Sequence, residues 1–181
     1  MWGLPKPQIK KTGKSQASNS GRVNAMDESA QANKKVRRIE WDEYSRLCTM
    51  LAKKVGKERK PGVVVGIAHG GVIVGATVAT ILQRDFFPIK FSRRVNARVV
   101  RKKSKLMVPP TADLEGARVL LIDDASSSGE TLKGAVRAIK KHNPKEVTTA
   151  VLVRSGAYEP DYMATYFAGK IIFPWMLEEG A

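Results

Sequence analysis

Val119-Leu120-Leu121-Ile122 holds four aliphatic residues in a row and stops on two adjacent carboxylates, Asp123 and Asp124. A continuous apolar run of roughly four to eight residues suits a strand covered on both faces, because both of its pleated sides must be buried. Val63-Val64-Val65-Gly66-Ile67, bounded by glycines, reads the same way, and Phe86–Phe91 and Val147–Val153 read as two further strands. Val72–Leu82 and Thr131–Lys141 read as helices between them. Ahead of all these, Trp41, Tyr44, Leu47, Cys48, Leu51 and Val55 recur at helical spacing. There Asp42 and Glu43 stand near the positive end of the dipole. Strands alternating with helices predict an α/β fold, a parallel sheet with helices on both faces.

Composition narrows the class. The chain has 181 residues, 43% hydrophobic and 27% charged, which suits one core of ordinary domain size with a segment to spare. No apolar run reaches the roughly 18 residues of a membrane span. A lone Cys48 excludes an intramolecular disulfide, and two histidines, His69 and His142, give no zinc-type ligand cluster. A reducing, cytoplasmic setting is therefore expected.

The net charge of +15 is concentrated in two places. Residues 1–38 carry nine basic and two acidic side chains, residues 90–105 eight basic and none acidic, and the remainder fifteen of each sign. The first stretch lacks hydrophobic periodicity and is rich in Ser, Asn, Gln, Gly and Lys. It reads as a flexible basic N-terminal arm preceding a domain over 39–181. It has neither the apolar centre of a secretion signal nor the amphipathic pattern of a transit peptide. Met26 offers a second start, which leaves residues 1–25 as a leader in that reading. The second stretch, with Val99-Val100 at its centre, reads as a mobile hairpin or loop. Nucleic acid, phosphorylated small molecules and anionic membrane surfaces all suit such charge, which does not choose among them.

Ligands of open parallel sheets bind beyond the carboxyl ends of the strands. After 119–122, Asp123-Asp124-Ala125-Ser126-Ser127-Ser128-Gly129-Glu130-Thr131 leads directly into a predicted helix. A small, hydroxyl-rich turn at a helix N-terminus offers backbone N–H groups and a favourable dipole to a phosphate. Ser128 and Thr131 can add hydroxyl donors, and the carboxylates can accept hydrogen bonds from vicinal sugar hydroxyls. The residues alone equally allow a structural strand-to-helix turn capped by serine.

The same residues carry a resemblance. Val119 to Asp124 followed by Ser128-Gly129-Glu130-Thr131 resembles the phosphoribosyl-pyrophosphate (PRPP) binding motif of the type I phosphoribosyltransferases. Ile67-Ala68-His69-Gly70-Gly71 is similar to that family's pyrophosphate loop. Tyr162 to Trp175, with Lys170-Ile171-Ile172-Phe173-Pro174-Trp175, resembles the base-holding segment of its 6-oxopurine branch, which acts on hypoxanthine, xanthine or guanine. The opening Ile39-Glu40-Trp41-Asp42 is also similar to that group, and the resemblance covers about residues 39–176.

It implies the family's sheet plus a small hood formed by the chain ends. It also implies transfer of 5-phosphoribose from PRPP to a nucleobase, in purine salvage, with release of pyrophosphate. By resemblance Asp123 and Asp124 contact the ribose hydroxyls, and Ser127, Ser128, Gly129, Glu130 and Thr131 hold the 5-phosphate. Ala68, His69, Gly70 and Gly71 face pyrophosphate, and Arg154, Lys170 and Ile171 face the base. Magnesium (Mg2+) enters through PRPP, with no dedicated protein ligand, and the basic stretch 92–105 is the loop over the site. The implied partners are PRPP, a nucleobase or nucleotide, and a second copy in a homodimer, with no membrane. Nucleic acid is a further candidate through the basic arm.

Four positions depart from the family pattern. Ser127 stands where 6-oxopurine enzymes have the Asp that handles the purine proton, although adenine- and orotate-type relatives lack it. Lys170 replaces a stacking aromatic, Arg154 a lysine, and His69 an Arg or Lys. The alternative function is accordingly a catalytically weak or inactive PRPP- or nucleotide-binding regulator.

Overall fold

The computed structural model describes residues 35–92, 94–95, 98–99 and 105–176, with side chains at 35–91 and 105–176. Its central sheet has six strands: β2 (Val63–Ala68), β3 (Asp85–Ser92), β6 (Lys105–Val108), β7 (Arg118–Ser126), β8 (Glu146–Arg154) and β9 (Tyr162–Tyr166). Their spatial order is β6-β3-β2-β7-β8-β9, parallel throughout except that β6 runs antiparallel to β3.

Alternation along β7 builds two cores at once, because successive side chains leave opposite faces of a strand. Leu120 and Ile122 join Val64 and Leu152 on one face, while Val119 and Leu121 join Val63, Val65 and Val151 on the other. The first face is covered by α1 (Trp41–Glu58) and α2 (Gly70–Leu82), through Leu51, Val55, Val74 and Val78. The second is covered by α3 (Glu130–Ile139), which buries Leu132, Ala135 and Ile139 and runs on into a 3-10 turn over Lys140–His142. Helices on both faces of a largely parallel sheet are thus the architecture of the chain. Among the described residues no helix is long and apolar enough to cross a membrane.

The chain departs from the sequence expectation in four places. Asp123 to Ser126 continue β7 instead of forming a turn, because β8 extends far enough to pair Asp123 with Val151 and Ser126 with Arg154. The sheet is not wholly parallel: Lys105–Val108 returns along β3 as the antiparallel strand β6. Tyr162–Tyr166, not marked as a strand by the sequence, pairs in parallel with β8 as β9, whereas in the basic stretch β4 (Arg94–Val95) and β5 (Arg98–Val99) form the antiparallel pair of the expected hairpin. Finally, Val36–Arg38, assigned by sequence to the arm, form β1 and pair in parallel with β10 (Lys170–Ile172). The Ile39 N–H continues this pairing by donating to Ile172 O at 2.9 Å. Two ends of the domain thereby make a small separate sheet. Residues 1–34 of the expected arm and 177–181 lie outside the described residues.

Candidate active site

Parallel neighbours β2 and β7 release their chains at the same edge of the sheet, with Gly66 in register with Ile122. Asp123 and Asp124, both partly buried, emerge there. Asp123 Oδ1 accepts the Asp124 N–H at 3.0 Å, and Asp124 Oδ1 accepts the Ala125 N–H at 2.7 Å. Burial pushes both carboxyls up from the ordinary aspartate range. Asp123 lies well above it, and the charge of Asp124 adds to the effect of burial. A carboxylate pair held in this way gains most from hydrogen-bond donors brought in by a ligand.

Beside the pair, α2 starts abruptly. A cis peptide joins Ala68 to His69, and the helix begins at Gly70 with no side chain capping it. A methyl group on Gly70 would overlap the Asp124 carboxylate. One on Gly71 would meet Asp123 Oδ1 at 2.8 Å. Only glycine lets the first turn of α2 lie directly against both acids, and the N–H groups of such a turn lack helical acceptors. Ala68 to Gly71 and the acid pair are therefore one site. His69 is exposed at its rim.

On the other side of the pair, Ser127, Ser128 and Gly129 link β7 to α3. Ser127 and Ser128 are exposed, and Gly129 adopts φ 73° beneath the ring of Tyr158. Ser128 Oγ accepts the Glu130 N–H at 3.5 Å, while Glu130 is exposed and Thr131 half-buried in the first turn. The loop after β8 braces this turn. Ser155 N–H donates to Ser126 O at 2.8 Å and Tyr158 N–H to Ser127 O at 3.1 Å, with Gly156 packed against Ser127. Sequence reasoning singled out neither Gly156 nor Tyr158. The signal was available in Ser155-Gly156, a second glycine turn at the end of a core strand.

Arg154 ends β8 beside Ser126 and so borders the same site. Its Nε donates to Gly156 O at 2.9 Å, its guanidinium pairs with Glu159 at 3.0 Å, and it lies 5.6 Å from the Tyr166 ring centre. Lys170 and Ile171 are on β10 instead. Lys170 is exposed and opposite Val36, and Ile171, opposite Arg37, packs its side chain on the core.

The sequence profile of the phosphoribosyl transferase domain matches residues 40–178, which include every element of this site. The chain belongs to that family. Among its relatives, a transcriptional regulator GfcR of Archaeoglobus fulgidus is 31% identical over 123 residues, 64% of this chain and 63% of the relative. An adenine phosphoribosyltransferase of Campylobacter hominis is 30% identical over 121 residues, 62% of this chain and 66% of the enzyme. The chain thus spans just under two-thirds of the length of these curated relatives. A crystal structure of a purine phosphoribosyltransferase from Pyrococcus horikoshii superposes with TM-score 0.69 and 29% identity, covering 77% of this chain and 93% of that one. These relatives do not single out the 6-oxopurine branch that the sequence suggested.

Within this phosphoribosyl transferase domain, no group of three or more His, Cys, Asp or Glu side chains is arranged to hold a metal among the described residues. The donors at the site are the oxygens of Asp123 and Asp124. Such hard ligands fit magnesium when phosphate oxygens and water complete its shell.

Proposed function

We infer that the chain transfers 5-phosphoribose from PRPP to a ring nitrogen of a nucleobase, in the first instance a purine, and releases pyrophosphate. One observation carries this reading: the carboxylate pair at the end of β7 lies against Gly70 and Gly71 on one side and runs into the Ser127–Gly129 turn on the other. A sugar bearing phosphate groups at both ends needs that order of acceptor and donor sites. Asp123 and Asp124 accept the ribose hydroxyls, Ser127 to Thr131 hold the 5-phosphate, and Ala68 to Gly71 present N–H groups to pyrophosphate. Magnesium, when bound with the substrate, neutralises phosphate charge. Arg154 borders the base.

Ser127 favours a second reading. A hydroxyl is no base at neutral pH, and general acid–base groups contribute about 10²–10⁴ in rate. A protein with the phosphoribose site intact and this group absent would bind PRPP or a nucleotide and regulate, as the name of the 31% identical relative suggests. An absorbance or radiochemical assay with PRPP, magnesium and a panel of nucleobases decides. Turnover of any base supports the enzyme; PRPP binding without turnover of any base selects the regulator; neither sinks both.

A further inference from the structure

A second cleft lies on the α3 side of the sheet, away from the acid pair. It measures about 330 Å³ and is bounded by β3, β6, the second half of α3 and the 3-10 turn after it. Half-buried Phe91 and Leu106, packed on the core, supply its apolar surface. Lys105, Arg137, Lys141 and His142 line it as exposed residues. Among the described residues no carboxylate lines it and none pairs with these four side chains.

Cations at the end of a helix are commonly explained by the dipole, which favours positive charge there. That accounts for Arg137 and the residues of the 3-10 turn. It does not account for Lys105, which reaches the same cleft from β6 on the opposite wall, nor for the ring of Phe91 beside it on β3. At Gly134 a methyl group would stand 3.3 Å from Phe91 Cε1, so the bare helix lets the ring approach closely. The volume is within the roughly 300–1,000 Å³ of small-molecule sites and suits one nucleotide better than a macromolecular surface.

We propose that this cleft binds a nucleoside triphosphate, its base against Phe91 and Leu106 and its phosphates among Lys105, Arg137, Lys141 and His142. The site is distinct from the one that holds phosphoribose. It nevertheless touches both elements that frame that site: α3 starts at the Ser127–Gly129 turn, and β3 and β6 flank the segment 93–104.

Calorimetric titration of the full chain with ATP, GTP and UTP, and with inorganic tripolyphosphate, tests this. At least one nucleotide should bind the wild type. Arg137→Glu with Lys141→Glu should weaken it by about tenfold or more, since reversal replaces two attractions by repulsions. Asp123→Asn with Asp124→Asn should leave it within about twofold. Tripolyphosphate should bind at least about tenfold more weakly than the nucleotide. Loss of binding in the aspartate variant but not in the charge reversal would place the nucleotide at the acid pair and overturn the proposal, leaving the transferase reading untouched. Equal affinity for tripolyphosphate would overturn the base contact. Absence of binding to all three nucleotides, or a clear preference for a single-stranded oligonucleotide, would overturn the site altogether.

Discussion

The two halves of the candidate site are built from different materials. On the side proposed for phosphoribose, bare glycine backbone admits close neighbours: Gly70 and Gly71 rest on the Asp124 and Asp123 carboxylates, Gly129 lies under Tyr158 and Gly156 against Ser127. On the side proposed for the base, the candidates are long side chains. Arg154 is shared among Gly156 O, Glu159 and the Tyr166 ring, and Lys170 stands exposed on a two-stranded sheet outside the main one. Backbone geometry of the first kind tolerates no substitution without strain, whereas side chains of the second kind can be exchanged one at a time. On the proposed function, recognition of the sugar phosphate is therefore fixed by the fold, and base preference is adjustable upon it.

The largest effect that would break this comparison is at the acid pair. Asp123→Asn with Asp124→Asn keeps the shape and one carbonyl acceptor on each residue but removes the charge. Hydrogen bonds to charged groups contribute about 1.5–3 kcal/mol each, so PRPP affinity should fall about 10²–10⁴-fold. Calorimetry with magnesium present reads this directly, and an unchanged affinity means the ribose is held elsewhere.

Next in size is Gly70→Ala, which forces the first turn of α2 away from Asp124. At about 2 kcal/mol for local backbone strain, PRPP binding should weaken by ~30-fold. Lys170→Ala on the base side should leave it within about twofold and alter only the KM for the base. If both variants lose PRPP affinity equally, the contrast between the halves is false. A third change sharpens the contrast: Ser127→Asp, alone and with Lys170→Trp, should raise turnover of hypoxanthine or guanine by ~10-fold, as a recovered proton acceptor would. Steady-state kinetics that show no gain in either variant remove Ser127 as the limiting group.

The same contrast decides what the sequence reveals. The strands at 63–67, 119–122 and 147–153 were legible because burial on both faces demands mostly apolar residues, and the acid pair was legible because it ends one of them. Gly70 and Gly71 were reached through the family resemblance and Gly129 through its hydroxyl-rich turn; close approach and positive φ are the structural reasons glycine stands there. What escaped depends on pairing across long separations. Val36–Arg38 and Lys170–Ile172 each hold only three residues and become strands only by meeting each other. β6 is mostly exposed, so its pattern carries no burial signal. Tyr158 is an aromatic in a loop whose importance comes from the bare backbone of Gly129 beneath it, contributed by another element.

The smallest effect concerns stability in the absence of ligand, and its sign follows from Asp123. Burial and the neighbouring charge raise its pKa in the folded protein well above the ordinary value of 3.8. Below that value both folded and unfolded chains hold the proton, and the site carries no penalty. As pH rises past it, the unfolded chain ionises first while the folded one retains the proton, so folding stability falls until the folded pKa is passed and the loss becomes constant. Each tenfold displacement of that equilibrium costs about 1.4 kcal/mol. Asp123→Asn removes the penalty while its Oδ1 can still accept the Asp124 N–H. The variant should therefore match the wild type near pH 3.5 and exceed it in stability and Tm at pH 7. Lys170→Ala, on the exposed side, should show no such pH-dependent difference. Thermal scans of the ligand-free proteins across this pH range test both statements, and a variant no more stable than the wild type at pH 7 would mean the acid pair is not held at the expense of stability.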